Sequence, residues 1–304
     1  MPFRIGTRES LLARWQAEWV AERLRSRGHE VVLVPICTRG DADQADPIGS
    51  LGTQGVFTKE LQRALLDGQI DLAVHSLKDL PTDRVDGLHL AAVPERGPVA
   101  DALVCKEAAS LADLTKGSVV GTGSLRRRAQ LLSHRRDLRV ENIRGNVDTR
   151  LRKLDEGRYD AIVLAEAGLT RLGLDHRITE QLPLAVMQPA VGQGALAIET
   201  QADRLDVIQV VGTLDHRETR AAVVAERAML AALQGGCLAP IAGYGVVRHG
   251  RLTLNGRVVH PQGSHAVEVD LTSELDEAVA LGRRAAEALL AQGAAEFIQQ
   301  SRKL

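Results

Sequence analysis

Aromatic residues are scarce in this chain: Phe, Tyr and Trp together make up 2% of its 304 residues. Few rings are left for stacking bases, and a net charge of -1 gives no general attraction for nucleic acid. Any strongly basic site must therefore be local. Cysteine is also sparse, and three of them, an odd number in a long chain, do not make a disulfide framework. No run approaches the roughly 18 apolar residues of a membrane span. The start Met1-Pro2-Phe3-Arg4 carries no apolar signal segment. No His or Cys spacing matches a zinc site, and no GxxxxGK[ST] loop is present. These absences lead to the expectation of a soluble cytoplasmic protein without nucleic-acid, membrane or metal partners. What the chain does have is 44% hydrophobic residues, enough to fill the cores of two or three domains.

Those residues fall into an α/β pattern. Phe3-Arg4-Ile5-Gly6 reads as a short strand and Leu11 to Arg27 as a helix, with Gly6-Thr7-Arg8-Glu9-Ser10 between them. His29 to Cys37 is Val-rich and reads as a strand buried on both faces. Residues 38–55 hold no hydrophobic period, and such a stretch suits a mobile flap. Val56 to Leu66 reads as a helix and Gln69 to Val74 as a strand. The loop His75-Ser76-Leu77-Lys78-Asp79-Leu80-Pro81 then stands at a strand's carboxyl end, where ligands gather in open α/β sheets.

The chain next repeats itself. Ser118 to Ser124, followed by a helix from Leu125 to Ser133, copies the opening strand, Gly-Thr turn and helix. DGQIDLAVHSLKDL at 67–80 can also be laid over EGRYDAIVLAEAGL at 156–169. Two related α/β lobes are implied, the first formed by residues 1–94 and 195–212 and the second by 100–188. Hinge strands at Ala91 to Asp101 and Leu196 to Glu199 would join them and leave a cleft between. From about 217 to 304 the pattern becomes a small α+β domain. It begins with a long helix, Arg217 to Leu233. A hairpin follows from Ile241 to Arg248 and Arg251 to His260, then a strand from His265 to Leu271 and an Ala/Leu-rich helix from Ser273 onward.

Three features carry chemistry. In Gly121-Thr122-Gly123-Ser124-Leu125-Arg126-Arg127-Arg128, arginines occupy a first helical turn, where the macrodipole disfavours each by about 0.3–1 kcal/mol. A carboxylate would reverse that balance, because one charge-assisted hydrogen bond returns about 1.5–3 kcal/mol. Arg144, Arg150 and Arg171 follow in the same lobe, and Arg8 and Lys78 in the other. Together they suit a ligand bearing several carboxylates or phosphates. Asp79 is an acid among these cations, suited to stabilising a cation or moving a proton, or else to pairing with Lys78. Cys237 follows Gly235-Gly236 on a turn and has no neighbouring His to make a protease-like dyad. A thiol without a base remains a possible covalent anchor.

The ordered blocks Gly6-Thr7-Arg8, Thr38-Arg39-Gly40-Asp41, Ala73 to Pro81, Gly121 to Arg127, Arg144-Gly145-Asn146, Pro189 to Ala195 and Gly235-Gly236-Cys237 resemble those of the porphobilinogen deaminase (hydroxymethylbilane synthase) family. The resemblance implies two lobes like those of type II periplasmic binding proteins, plus a C-terminal domain with an antiparallel sheet. It implies a transferase that deaminates porphobilinogen and joins the pyrroles head to tail, releasing a linear tetrapyrrole. The cofactor implied is a dipyrromethane held by a thioether to Cys237, and the protein a monomer. By the same resemblance Asp79 is catalytic, and Arg8, Ser10, Ser76, Lys78, Thr122, Ser124, Arg126, Arg127, Arg144, Arg150, Arg171 and Gln193 bind cofactor or substrate. Ser50 and Gln54 replace frequent lysines, Gly123 a usual serine, and Val99-Ala100 a frequent Pro-Arg. The competing reading is a two-lobed anion-binding or sensing protein without chemistry, which leaves Cys237 and Asp79 without a task.

Overall fold

The computed structural model describes residues 1–36, 58–235 and 239–303. The expected flap at 38–55, the strand end at Cys37 and the cysteine turn at Cys237 lie outside the described residues. By contacts the chain divides into two compact units, Met1–Arg96 with Ala195–Arg220, and Gly97–Gly194 with Ala221–Leu304.

The first unit is built on a five-stranded sheet. Its strands are β1 (Phe3–Thr7), β2 (Val31–Pro35), β3 (Leu72–Ser76), β4 (Leu88–Ala92) and β10 (Leu196–Gln201), in the order β2-β1-β3-β10-β4. β1 runs parallel to β2 and β3, whereas β10 runs antiparallel to β3 and β4. Successive residues of β3 face opposite ways. Leu72 and Val74 join Ile5, Val20, Leu24 and Ile198 on the side of helix α1 (Leu11–Arg25). Ala73 joins Leu61 and Leu65 of helix α2 (Lys59–Leu66) on the other side. A strand buried on both faces needs apolar residues at every position, which is why 72–74 has no polar alternation. Helix α6 (Leu205–Gly212) adds Val207 and Val211 to the first of these cores.

The second unit repeats the plan. Strands β5 (Asp101–Cys105), β6 (Val119–Gly121), β7 (Arg139–Glu141), β8 (Ala161–Ala165) and β9 (Glu180–Gln181) lie in the order β7-β6-β8-β5-β9. Here too the first three are mutually parallel and β5 is antiparallel to its neighbours. The register repeats as well. Gly6 pairs with Ala73 in one sheet and Gly121 with Ile162 in the other, and laying 67–80 on 156–169 superposes β3 on β8. Even the strand entry is copied: Asp71 accepts the N–H of Arg4 at 2.9 Å, and Asp160 accepts that of Val119 at 2.7 Å. In β8, Ala161 and Val163 face Leu131 of helix α3 (Leu125–His134), while Ile162 and Leu164 face Leu151 and Leu154 of helix α4 (Val147–Asp155). After β8 comes the short helix α5 (Glu166–Arg171). In the alignment of the two lobes, Gly168 within it occupies the place of Asp79.

The same unit contains the C-terminal α+β layer. Helix α7 (Arg217–Ala232) leads to the antiparallel sheet β11 (Ile241–Arg248), β12 (Arg251–Val259) and β13 (Ala266–Ser273). Leu252, Leu254 and Val258 pack on Ala225 and Met229 of α7 and on Leu281, Ala285 and Leu289 of helix α8 (Ala278–Ala291). One expectation is corrected here. Ser273 ends β13 rather than starting a helix, and the helical tail is broken at Gly293 (φ 98°) before helix α9 (Ala294–Ser301). A left-handed glycine stops a helix whatever the Ala/Leu content of the sequence around it.

Candidate active site

In the first lobe the candidate residues stand at the carboxyl ends of β1 and β3. Arg8, half-buried, follows β1, and Ser10 caps α1 by accepting the Ala13 N–H at 3.3 Å. Ser76 ends β3 and accepts a hydrogen bond from buried Gln16 at 2.8 Å. Behind it, buried His75 places Nε2 3.0 Å from Glu199 Oε2, and Gln62 donates to the same carboxylate at 3.1 Å. The chain then makes a 3-10 turn, Leu77–Asp79. Leu77 is buried, Lys78 half-buried and Asp79 exposed. Among the described residues the Asp79 carboxylate makes no cap, hydrogen bond or ion pair, so the pairing with Lys78 weighed from the sequence does not form.

In the second lobe the turn after β6 is tightly fixed. Thr122 Oγ1 accepts the Ser124 N–H at 3.2 Å, and Ser124 Oγ caps α3 by accepting the Arg127 N–H at 3.4 Å. Ser10, Ser76, Thr122 and Ser124 thus share one arrangement: the oxygen is held as an acceptor from the protein. A hydroxyl fixed in this way keeps its proton to donate. Four donors with orientations set by the backbone or by Gln16 suit ligand carboxylates.

Arg126 and Arg127 are buried, and the anion that meets them belongs to the chain. Asp101, at the start of β5 and fully buried, accepts from Arg126 Nη1 at 2.8 Å and from Arg127 Nη2 at 2.6 Å. Burial alone would raise the Asp101 carboxyl, but the two guanidinium groups overcome it and hold the acid well below the ordinary carboxylate range. Burial in turn lowers Arg126, against the pull of Asp101. This internal counter-ion accounts for two arginines in a first helical turn. Arg128, the third, is exposed and reaches the Val140 carbonyl at 3.1 Å. One donor is left over: Arg126 Nε is buried and has no acceptor among the described residues. A buried N–H without an acceptor is costly, and an anionic ligand group would satisfy it.

Two further arginines of this lobe are held by carbonyls of the same unit. Arg150 Nε donates to Gly145 O at 2.7 Å, and Arg171 Nη2 to Gly194 O at 2.6 Å. Burial pushes Arg171 down to about 10. Arg144 is half-buried, and its backbone carbonyl accepts from Lys153 at 3.0 Å. Gln193 is fully buried and donates to Val99 O at 2.8 Å and to Asp101 at 2.9 Å. Gly194 must be glycine: its φ is +85°, and a Cβ there would lie 2.6 Å from the Pro98 carbonyl oxygen. Sequence reasoning missed Asp101, Glu199 and Gln16. Among the described residues no group of three His, Cys, Asp or Glu could hold a metal, and no helix is long and apolar enough to cross a membrane.

Residues 3–209 match the family model described as "Porphobilinogen deaminase, dipyromethane cofactor binding domain", and residues 220–291 match that of the porphobilinogen deaminase C-terminal domain. The chain belongs to the porphobilinogen deaminase family. Porphobilinogen deaminases of Pelotomaculum thermopropionicum, Desulfitobacterium hafniense and Desulforudis audaxviator are 46%, 47% and 48% identical to it, over 98% of this chain and 96%, 97% and 97% of theirs. Among solved structures, the methionine binding protein MetQ has a TM-score of 0.45 at 15% identity, covering 70% of this chain and 89% of that one. A periplasmic substrate-binding protein from Coxiella burnetii has 0.45 at 14%, covering 70% and 91%. As a porphobilinogen deaminase family member the chain is a transferase of porphyrin biosynthesis that works on a dipyrromethane cofactor. It deaminates porphobilinogen and joins the pyrroles head to tail, releasing hydroxymethylbilane and ammonia. The assignment does not favour a non-catalytic anion-binding protein.

Proposed function

We propose that Asp79 is the catalytic residue of this reaction and that Cys237 anchors the cofactor. The observation that carries the reading is the state of Asp79: an exposed carboxylate on a 3-10 turn at the carboxyl end of β3, with no structural bond among the described residues. Loss of ammonia from porphobilinogen leaves an electron-poor methylene pyrrole. A carboxylate within reach of the pyrrole N–H stabilises that positive charge and passes the proton on. When bound, the dipyrromethane would supply the free pyrrole carbon to which the first unit is joined, each later unit being joined to the end of the growing chain.

The acetate and propionate arms of the pyrroles are the chemical class that the donor set fits. Ser10, Ser76, Thr122 and Ser124 offer oriented hydroxyl protons, and Arg126 offers its unmatched Nε–H. Arg8, Lys78, Arg144, Arg150, Arg171 and Gln193 complete the set. Arg127, bonded to Asp101 and to the Val163 carbonyl at 3.0 Å, keeps Arg126 in place from within the same pair. In this reading the protein is a cytoplasmic monomer without a nucleic-acid partner.

Intact mass of the purified chain tests the anchor. An excess equal to two linked pyrroles is expected, and it disappears in Cys237→Ser; a bare parent chain with full activity rules the anchor out. By intact mass Asp79→Ala is expected to keep the excess, and in a turnover assay it loses on the order of 10²–10³ in kcat with the fold retained. Unchanged turnover removes Asp79 from its role.

A further inference from the structure

Residues 188–194 are bonded on both sides. Toward the second lobe, the Gln188 carbonyl accepts from Arg126 Nη1 at 2.6 Å and from Gln130 at 3.0 Å. Gln193 reaches Asp101, and the Gly194 carbonyl accepts from Arg171. Toward the C-terminal layer, Gln188 Nε2 donates to Asn255 O at 2.7 Å, and the Gly243 N–H donates to Pro189 O at 3.0 Å. Val191 packs into the core formed by α7, β12 and α8. The stretch is a strap whose carbonyls hold two site arginines on one side while its back is seated on the C-terminal layer.

The seat is closed by a buried acid. Glu226 on α7 is fully buried, and its carboxylate accepts the Gly192 N–H at 2.6 Å through Oε2 and the Gly245 N–H at 2.7 Å through Oε1. It therefore ties the strap and β11 to the helix whose chain continues toward Cys237. A carboxylate brought into a core built of Ala, Val and Met is costly unless hydrogen-bonded, so its place is not explained by packing. Its two oxygens match two backbone N–H groups that would otherwise lack these acceptors.

We propose that Glu226 is a positioning residue for substrate binding: by fixing the strap it fixes the carbonyls of Gln188 and Gly194, and through them the guanidinium groups of Arg126 and Arg171. The inference rests on the reading that these arginines bind the pyrrole carboxylates. Holding such arms stabilises ground state and transition state alike, so a loosened strap shows in KM rather than kcat.

Glu226→Gln tests it, since an amide has a single oxygen and turns its NH2 toward one of the two N–H groups. The holoenzyme variant is expected to raise the KM for porphobilinogen by about tenfold with kcat within about threefold, and to speed amide hydrogen exchange at Gly192. Glu226→Asp, which keeps the charge, stays closer to the parent in both. Ile298→Ala, in the core of the same domain, lowers thermal stability and leaves KM and strap exchange unchanged. Should Glu226→Gln fail to fold, Gly243→Ala carries the test, because its new Cβ would meet Met229 Cε at 2.7 Å, the far end of a flexible side chain, and Val191 Cγ2 at 3.0 Å, which pushes on the strap; the same KM rise is expected. An unchanged KM and strap exchange in the folded variant, or an equal KM rise in Ile298→Ala, overturns the proposal. Intact mass of the parent reports separately on the Cys237 anchor, so the two readings fail by different measurements.

Discussion

Asp101 shows how one residue can decide what its neighbours mean. Three arginines in a row at a helix start point to an anion, and the sequence leaves that anion's identity open. In the folded chain a carboxylate 25 positions before Arg126 lies between two of the guanidinium groups. The acid follows no local pattern, because β5 reaches α3 only through the sheet. Removing it leaves two buried cations facing each other, so Asp101→Asn is expected to cost about 3–5 kcal/mol at neutral pH. The acid side of the stability curve carries the same signature. An unfolded Asp titrates near ~3.9, and the folded Asp101 lies well below that value. Its contribution is therefore full above the unfolded value and is lost as pH falls through the folded one. Urea unfolding from pH 7 down to pH 3 should show the parent losing stability below about pH 4, and Asp101→Asn should show a flatter limb starting from a lower plateau.

At the scale of elements, legibility followed burial. β3 and β8 were readable because both faces are covered and every position is apolar. β5 was not, since it opens on a charged residue, and β9 has only two residues, too few for any period. The break before α9 was missed because composition speaks for a helix while a single left-handed glycine speaks against it. Glu226 left a trace: it falls with Ala222, Ala225 and Met229 on the buried stripe of α7, where an acid is out of place. The bend that ends the strap is equally demanding. Gly194→Ala combines a left-handed backbone, costing about 1–2 kcal/mol, with a Cβ facing two carbonyl oxygens. A lower melting temperature together with weaker substrate binding is expected. A drop in melting temperature alone would separate the bend from the Arg171 contact.

For the molecule as a whole, the internal repeat extends to single hydrogen bonds, and the two copies are not equally loaded. Asp71 is buried and paired with Arg4 at 2.9 Å and Arg204 at 3.2 Å, whereas its counterpart Asp160 is exposed. Asp71→Ala is therefore expected to cost about 1–3 kcal/mol and Asp160→Ala about 0.5–1.5 kcal/mol, an order that chemical denaturation of the two variants can check. Equal losses would mean that the strand-entry bond alone matters and the ion pairs add nothing. The duplicated plan also bears on the chemistry. Both sheets offer a turn at the end of the strand shared by the repeat, β3 in one and β8 in the other, yet Asp79 stands on the first turn and Gly168 on the second. A polymer that lengthens by one ring per round needs a single place where ammonia departs. On the proposed reading of Asp79 the reacting acid belongs to one copy alone, for the acid of the other turn, Glu166, stands at the place of Leu77 and its carboxylate accepts from Gln181 at 2.6 Å.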